Sequence, residues 1–191
     1  MIPYLILSIF IFGINVVPFF MPPTWTILAF FHLHYKLEVI PTVVIGALAA
    51  TAGRVLLAAL SRNILRPFLP KKTKENFRYL GKFVNSHEQL TIPVIIMYAF
   101  LPIPSNQVYI AAGLAGVNLW LIAFSFFIGR LISYSFWIGA AHIIYHRLGD
   151  VFLRHYSNTK FIAVETSGII LLIAISLIPW KKIIIKLSRH F

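Results

Sequence analysis

The chain contains no cysteine and only five acidic residues among its 191 residues. The missing thiols exclude disulfide bonds, zinc thiolate sites and thiol catalysis. The few acids stand against 17 lysines and arginines, so the net charge is +12. Charged residues make up only 12% of the chain, whereas hydrophobic residues make up 59%. A soluble domain has about half apolar and a quarter charged residues, so this composition favours an integral membrane protein.

The apolar residues form long runs, several of which approach or exceed the roughly 20 residues with which a helix crosses a bilayer. A β-barrel strand would alternate apolar and polar residues over about ten positions. Runs such as SGIILLIAISLIP do not alternate. We therefore predict an all-α, polytopic membrane protein that forms a single membrane domain over residues 1–191. It is expected to have about four transmembrane helices and two oppositely facing re-entrant broken-helix elements.

The first half of the chain contains a span, a break and a second span. Residues 2–20 are interpreted as a retained first span, because they lack the basic region and cleavage site of a signal peptide. The pair Pro22 and Pro23 then breaks the helix. The apolar piece Thr24–Leu33 is only about half a span long, which is typical of a re-entrant element. Val39–Leu60 follows and is long enough to cross.

The second half repeats this pattern of a broken element followed by a span. Residues 90–116 are apolar, but three prolines and three adjacent polar residues argue against one straight helix. These residues are Pro93, Pro102, Pro104, Ser105, Asn106 and Gln107. We predict a second re-entrant element here, a long span over Leu119–Tyr145 and a last span over Phe161–Trp180.

The segment Ser61–Lys82 carries seven basic residues and only one acid, Glu75. Basic residues favour the cytoplasmic side of a membrane, so the loop 61–89 is predicted to be cytoplasmic. The resulting topology places the N-terminus and the basic tail in the cytoplasm, in a protein of the cell (plasma) membrane. Part of the loop, Thr73–His87, is predicted to form an amphipathic helix on the membrane surface.

Two sections of the chain, about residues 18–60 and 90–145, resemble each other. Each has a proline break, a polar residue, a half-length apolar piece and a span that contains Gly-Arg. The matching residues are Thr24 and Ser105 after the breaks, and Gly53-Arg54 and Gly129-Arg130 in the spans. In the predicted topology the copies enter from opposite faces. Many transporters use such an inverted repeat to place a substrate site near the midplane.

Arg130 is the candidate binding residue with the strongest physical argument. It lies about 16 Å into the span that begins at Leu119, near the middle of a hydrocarbon core about 30 Å thick. Burying an arginine there costs about 2.5–3.5 kcal/mol on insertion scales, which predicts an anionic ligand. The alternative is a structural arginine that binds backbone carbonyls freed at the breaks. Arg54 lies nearer the cytoplasmic end of its span, so snorkelling to the interface also explains it.

The remaining candidates are polar residues beside the breaks and two carboxylates. The polar side chains either cap the half-helices, or mark helix N-termini that face an anionic headgroup. The carboxylates are candidates for proton coupling. These residues are Thr24, Ser105, Asn106, Gln107, Glu38 and Glu165. The sequence shows no nucleophile–base pair, phosphate-binding loop or metal cluster, so we predict neither an enzyme nor a metal or other cofactor.

The motifs YAFLPIPSNQVYIAAG and FFIGRLISYSFWIGA, with the earlier PFFMPPTW and GALAATAGRVLL, resemble those of the DedA family (the SNARE-associated Golgi, or VTT, domain). The resemblance covers residues 15–145. It implies two opposed re-entrant elements and movement of phospholipids or polyprenyl-phosphate carriers across the bilayer, in many bacterial members with proton coupling. The family often has carboxylates at the first proline motif and the next span, and arginines around the second motif, all absent here. Only Arg54 and Arg130 carry over, which favours a passive, scramblase-like role.

These observations predict a translocator of an anionic phospholipid or polyprenyl phosphate, in which Arg130 and Arg54 neutralise the phosphate. Two alternatives stay open. The first is a transporter of a small anion or other solute that uses the same arginines. The second is a structural membrane protein whose basic loop recruits a partner or anionic lipid. The expected partners are membrane lipids with anionic headgroups and no nucleic acid, and the oligomeric state, a homo-oligomer included, is left open.

Overall fold

The computed structural model describes residues 1–18, 23–100 and 106–156, with side chains described as far as residue 140. Within these ranges every regular element is a helix, as predicted for an all-α chain. The α-helices are α1 (Ile2–Val16), α2 (Thr24–His34), α3 (Val39–Leu60), α4 (Lys71–Ser86), α5 (Glu88–Phe100), α6 (Asn106–Ala115) and α7 (Leu119–Tyr156). Beyond α3 the chain continues through a π-helical turn, Ser61–Leu65, and a 3-10 turn, Arg66–Phe68.

Two of the described helical segments are long and apolar enough to cross a membrane. They are Val39–Phe68, with a mean hydropathy of 2.1, and Leu119–Ala140, with a mean hydropathy of 1.6. The helices α1 and α5 are apolar but have only 15 and 13 residues. The first apolar segment, expected to be a full span over residues 2–20, is thus a shorter helix. The expected last span, Phe161–Trp180, lies outside the described residues.

The helices α1 and α3 run parallel. The backbone N–H of Glu38, just before α3, donates to the hydroxyl of Tyr4 near the start of α1, at 3.1 Å. Fifteen residues further along α3, Gly53 packs against Phe12 and Asn15 near the end of α1. Between them, α2 begins beside Asn15 and returns the chain to the end from which α1 started.

This arrangement differs from the expected topology at the N-terminus. The N-terminus was expected on the same side as the basic loop 61–89, but α1 begins beside the start of α3, whereas the loop follows the opposite end of α3. The physical reason is that α1 stops at Val16, where the backbone becomes extended at Val17. The helix α2 then runs back toward the start of α3, so α1 and α2 form a hairpin. The N-terminus therefore lies at the end of α3 that is opposite the basic loop.

The helices α5, α6 and α7 repeat this path from the other end of the molecule. Gly129 of α7 packs against Ile96 and Ala99 of α5, so these two helices also run parallel. The hydroxyl of Ser133 donates to the carbonyl of Phe100, one turn further along both helices, at 3.4 Å. The helix α6 then returns to the end where α5 began, and Gly116, with a φ of 76°, turns the chain into α7.

The two three-helix units interlock, because each short returning helix packs on the long helix of the other unit. Gly113 of α6 lies against the carbonyl of Ala58 in α3. Trp25 of α2 stacks on Trp137 of α7, with ring centroids 5.0 Å apart and planes 23° apart. The contact between the units therefore combines the segments that follow the two breaks with direct packing of α3 against α7.

The bounds of several predicted elements agree with the structure, and two details do not. The predicted Val39–Leu60 is α3, and the predicted amphipathic helix Thr73–His87 is α4, Lys71–Ser86. Pro93, expected to interrupt its segment, lies inside α5, because apolar helices tolerate proline where neighbouring groups satisfy the freed backbone. The long helix predicted to end at Tyr145 continues to Tyr156. Of the predicted breaks, Pro23 directly precedes α2, and Pro22, Pro102 and Pro104 lie outside the described residues.

Candidate functional site

Arg54 is buried inside the molecule, with only 6% of its surface exposed. Its Nη1 donates to the backbone carbonyl of Asn15 at the end of α1, at 3.4 Å. Its guanidinium carbon lies 5.7 Å from the centre of the Tyr109 ring, which belongs to α6 in the other unit. This distance suits a cation–π contact, which is worth about 0.5–2 kcal/mol. Arg54 therefore links the end of α1 in the first unit to α6 in the second unit.

Arg130 is equally buried, with 7% of its surface exposed. Its guanidinium carbon lies 4.9 Å from the ring centre of Phe126 and 5.4 Å from that of Tyr134. These residues are one turn before and one turn after it on α7, so the guanidinium is held between two aromatic faces of its own helix. Its Nε is buried and has no hydrogen-bond acceptor among the described residues.

The two arginines are linked by the buried ring of Tyr109 in α6. Arg54 faces this ring, and Arg130 faces the ring of Phe126, which packs against it. Tyr109 is only 2% exposed, and its ring also makes an edge contact with Phe126 at 5.0 Å. Its hydroxyl is buried and has no hydrogen-bond partner in the described part of the chain. Tyr109 therefore lies between the two candidate binding residues, Arg54 and Arg130.

The sequence provides few negative charges to balance these guanidinium groups. Residues 39–74 and 89–149 contain no aspartate or glutamate. Glu38 lies at the start of α3, 16 residues before Arg54, which corresponds to about 24 Å along the helix. A cation–π contact recovers only part of the cost of burying an arginine, about 2.5–3.5 kcal/mol at the centre of a membrane helix. The site is thus cationic and suited to an anion.

Thr24, a predicted binding residue, is buried at the start of α2. Its Oγ1 accepts a hydrogen bond from Nδ2 of Asn15 at 3.4 Å, and the same amide donates to the carbonyl of Ile11 at 2.8 Å. Because the backbone carbonyl of Asn15 also binds Arg54, one buried asparagine links the start of the half-helix to the arginine. The structure thus brings Thr24 and Arg54 together through a residue that was not predicted.

Asn106 and Gln107, also predicted, are buried at the start of α6. The Nδ2 of Asn106 donates to the carbonyl of Val17 at 3.1 Å, just after the end of α1. This bond satisfies a backbone group freed at the first break, which is the capping role expected for these residues, but it joins the two units instead of acting within one. Ser105 lies outside the described residues.

Of the two predicted proton-coupling residues, only Glu38 lies in the described structure, and it is far from Arg54 along α3. Glu38 is exposed at the start of α3, and Glu165 lies outside the described residues. Where the side chains are described, no three His, Asp or Glu residues lie together as metal ligands would.

Sequence reasoning missed Asn15 and Tyr109. Tyr109 was counted as an apolar residue of its segment, because composition does not reveal the direction of a side chain. A signal for Tyr109 was present, since it lies one turn after Asn106 in a half-length helix. A signal for Asn15 was also present, since it is the one amide in the first apolar run and a buried amide needs partners.

Comparison with known proteins gave no match: no family model, no curated protein and no solved structure is significantly similar to the chain.

Proposed function

We propose that this protein resides in a membrane and moves an anionic lipid headgroup, of a phospholipid or a polyprenyl phosphate, across the bilayer. One observation carries the proposal. Two buried guanidinium groups, one from each three-helix unit, face the packed ring pair Tyr109 and Phe126, and residues 39–74 and 89–149 around them contain no acid. Buried charges normally have a counter-ion, and here the ligand would supply it.

The lengths of the helices support a specific arrangement in the bilayer. The segments Val39–Phe68 and Leu119–Ala140 would cross it. The helices α1, α2, α5 and α6 have 15, 11, 13 and 10 residues, or about 15–22 Å of rise against a hydrocarbon core of about 30 Å. The hairpins α1–α2 and α5–α6 would therefore be re-entrant elements that enter from opposite faces and meet near the midplane. Such opposed elements place binding sites at the midplane in many transporters.

The chemistry of the site supports a passive mechanism. A phosphate that enters from either face exchanges its water for the guanidinium and phenol groups, while the acyl or prenyl chain stays in the lipid. The acids needed for proton coupling are absent from α3, from α5 beyond Glu88, and from α7 as far as residue 149. We therefore propose a scramblase-like activity, and membership of the DedA family on the strength of the proline and Gly-Arg motifs.

The test is lipid movement in vesicles that contain the purified protein. Fluorescent analogues with an anionic, a zwitterionic or a polyprenyl phosphate headgroup are placed in both leaflets, and a membrane-impermeant reductant reports exchange. The double variant Arg54→Gln/Arg130→Gln should lose transport, because the anion then has no charge to replace its water. Arg62→Gln, which removes an exposed arginine, is the matched control and should keep full activity.

Equal rates in the wild type and the double variant, with both proteins folded, would overturn the proposal. Uptake of a small anion that depends on the same arginines, without any lipid movement, would assign the site to a solute transporter. A pH gradient across the vesicles should leave the rate unchanged if the mechanism is passive.

A further inference from the structure

The turn between α3 and α4 exposes large apolar side chains beside basic ones. Phe68 is 84% exposed, and Ile64 and Leu65 are about half exposed. Arg62 precedes them and Lys71 follows, both on the surface. Exposed apolar groups normally mark a contact surface when they lie together, and neighbouring cations restrict what that surface can contact.

The helix α4 has one packed face and one basic face. Phe77 and Gly81 are buried, and Gly81 lies against the carbonyl of Ala115 at the end of α6. The opposite face exposes charged residues that recur at helical spacing, with four cations and a single acid. These residues are Lys71, Lys72, Glu75, Arg78 and Lys82. Lys74 is not part of this face, because its Nζ donates to the carbonyl of Pro67.

The position of α4 relative to a membrane follows from its contacts with the start of α7. Asn85 Nδ2 donates to the carbonyl of Gly116, and its Oδ1 accepts from the backbone N–H of Asn118. Two residues later, Trp120 is 76% exposed. Tryptophan is enriched at the level of lipid headgroups, so the end of α4 that Asn85 anchors would lie at this level.

We propose that Phe68, with the exposed basic face of α4, is a docking surface for anionic lipid headgroups. Phe68 enters the boundary between headgroups and acyl chains, and Lys71, Lys72, Arg78 and Lys82 bind the phosphates around it. Clusters of four or more lysines and arginines next to a membrane helix bind anionic lipid headgroups. The position of α4 at the level of Trp120 favours a lipid surface over an acidic protein, which would match only the charge. The inference requires a membrane location but is independent of lipid transport.

The absence of cysteine allows a direct test, because a single introduced cysteine is the only labelling site. Phe68→Cys carries an environment-sensitive fluorophore that replaces the aromatic ring, and the full chain is placed in nanodiscs of neutral lipid or of neutral lipid with roughly 30% anionic lipid. Anionic lipid should shift the emission to the blue, and raising the salt concentration should weaken the shift by screening.

Two sets of substitutions decide what the surface recognises. Replacing Lys71, Lys72, Arg78 and Lys82 by glutamine should abolish most of the blue shift. The matched variant, in which the three lysines become arginine and Arg78 becomes lysine, should keep the blue shift. The reason is that binding to a lipid surface depends on charge and not on side-chain shape. The melting temperature in detergent should be the same for both, since these side chains are exposed.

Three results would each overturn the proposal. The first is no response of the probe to anionic lipid. The second is an equal response in the neutralised variant. The third is a shift in neutral nanodiscs when an acidic polypeptide is added and none with anionic lipid, which would identify a protein-binding surface.

Discussion

The two three-helix units, α1–α3 and α5–α7, share one packing device and differ in how they hold their arginine. In both, the glycine before the arginine lets the long helix approach the first helix of the unit. A Cβ at Gly53 would lie 2.8 Å from the carbonyl oxygen of Phe12, and one at Gly129 would lie 2.9 Å from that of Ile96. The shared glycine thus allows a close helix contact directly beside each buried arginine.

The difference lies in the bonds that the arginines make. Arg54 donates to a carbonyl at the end of α1 and faces a ring of the other unit, so its position depends on protein groups. Arg130 lies between two rings of its own helix, those of Phe126 and Tyr134. Arg54 is thus better placed to hold the units together, and Arg130 to bind an anion.

The largest expected effect separates these two roles. Arg130→Gln should reduce lipid transport at least about tenfold, because losing a charge that faces a buried anion costs 2–5 kcal/mol. Its melting temperature in detergent should change little, since the loss of two cation–π contacts is offset by removing a buried charge that has no described counter-ion. Arg54→Gln should instead lower the melting temperature, because the carbonyl of Asn15 loses its donor.

The control for this pair is Arg62→Gln, which removes an exposed arginine and should affect neither measurement. The comparison between the units fails if Arg54→Gln and Arg130→Gln have the same profile of transport and melting temperature.

The shared glycine can be tested by adding one methyl group to each unit. Gly53→Ala and Gly129→Ala should each destabilise the protein by about 1–3 kcal/mol, because the new Cβ meets backbone atoms that cannot move aside easily. Gly13→Ala is the matched control, since a Cβ there meets nothing within 4 Å. Alanine favours a helix over glycine by about 1 kcal/mol, so the control should be neutral or stabilising. Chemical unfolding in detergent measures all three, and equal effects would show that the close approach is not required.

Tyr109 is expected to contribute to transport more than to stability. Tyr109→Phe keeps the ring that faces Arg54 and removes a hydroxyl with no partner among the described residues, so the melting temperature should not fall. Transport should fall by up to about tenfold, because the anion loses one hydrogen-bond donor worth about 0.5–1.5 kcal/mol. Tyr109→Leu also removes the cation–π contact and should lower both. Full transport by Tyr109→Phe would show that the hydroxyl does not take part in binding.

The sequence was sufficient to predict most of the helices but not how they pair. Val39–Leu60 was predicted at its observed bounds, because a long apolar run between polar residues can satisfy its backbone hydrogen bonds in a membrane only as a helix. The N-terminus was expected on the same side of α3 as the basic loop, because residues 2–20 were interpreted as a full span, whereas α1 ends at Val16 and begins beside the start of α3. Arg54 and Arg130 are both buried, which for Arg54 argues against snorkelling, and their role in binding stays a prediction. The contact of Arg54 with Tyr109 depends on α6 packing against the other unit, which no local sequence pattern indicates.

The smallest expected effect is on the free energy of unfolding, when Asn15 of the first unit is replaced by alanine, the residue at the corresponding contact of the second unit. Asn15 contacts Gly53 with its Cβ, and the corresponding contact of Gly129 is made by Ala99. Asn15→Ala removes the amide that bonds Thr24 and the carbonyl of Ile11, at a cost of about 0.5–1.5 kcal/mol for each bond. Alanine has a higher helix propensity by about 0.5 kcal/mol, which offsets part of this loss.

We therefore expect Asn15→Ala to lower the free energy of unfolding by about 1 kcal/mol, measured by chemical unfolding in detergent. Asn63→Ala, at an exposed position in the π-helical turn, gains the propensity without losing a buried bond, so it should be neutral or slightly stabilising. Subtracting the two values leaves the contribution of the buried amide alone. If both variants change stability equally, Asn15 does not support Thr24. In that case the bonds of Asn15 would not stabilise α2, and the two three-helix units would differ only in the contacts of Arg54 and Arg130.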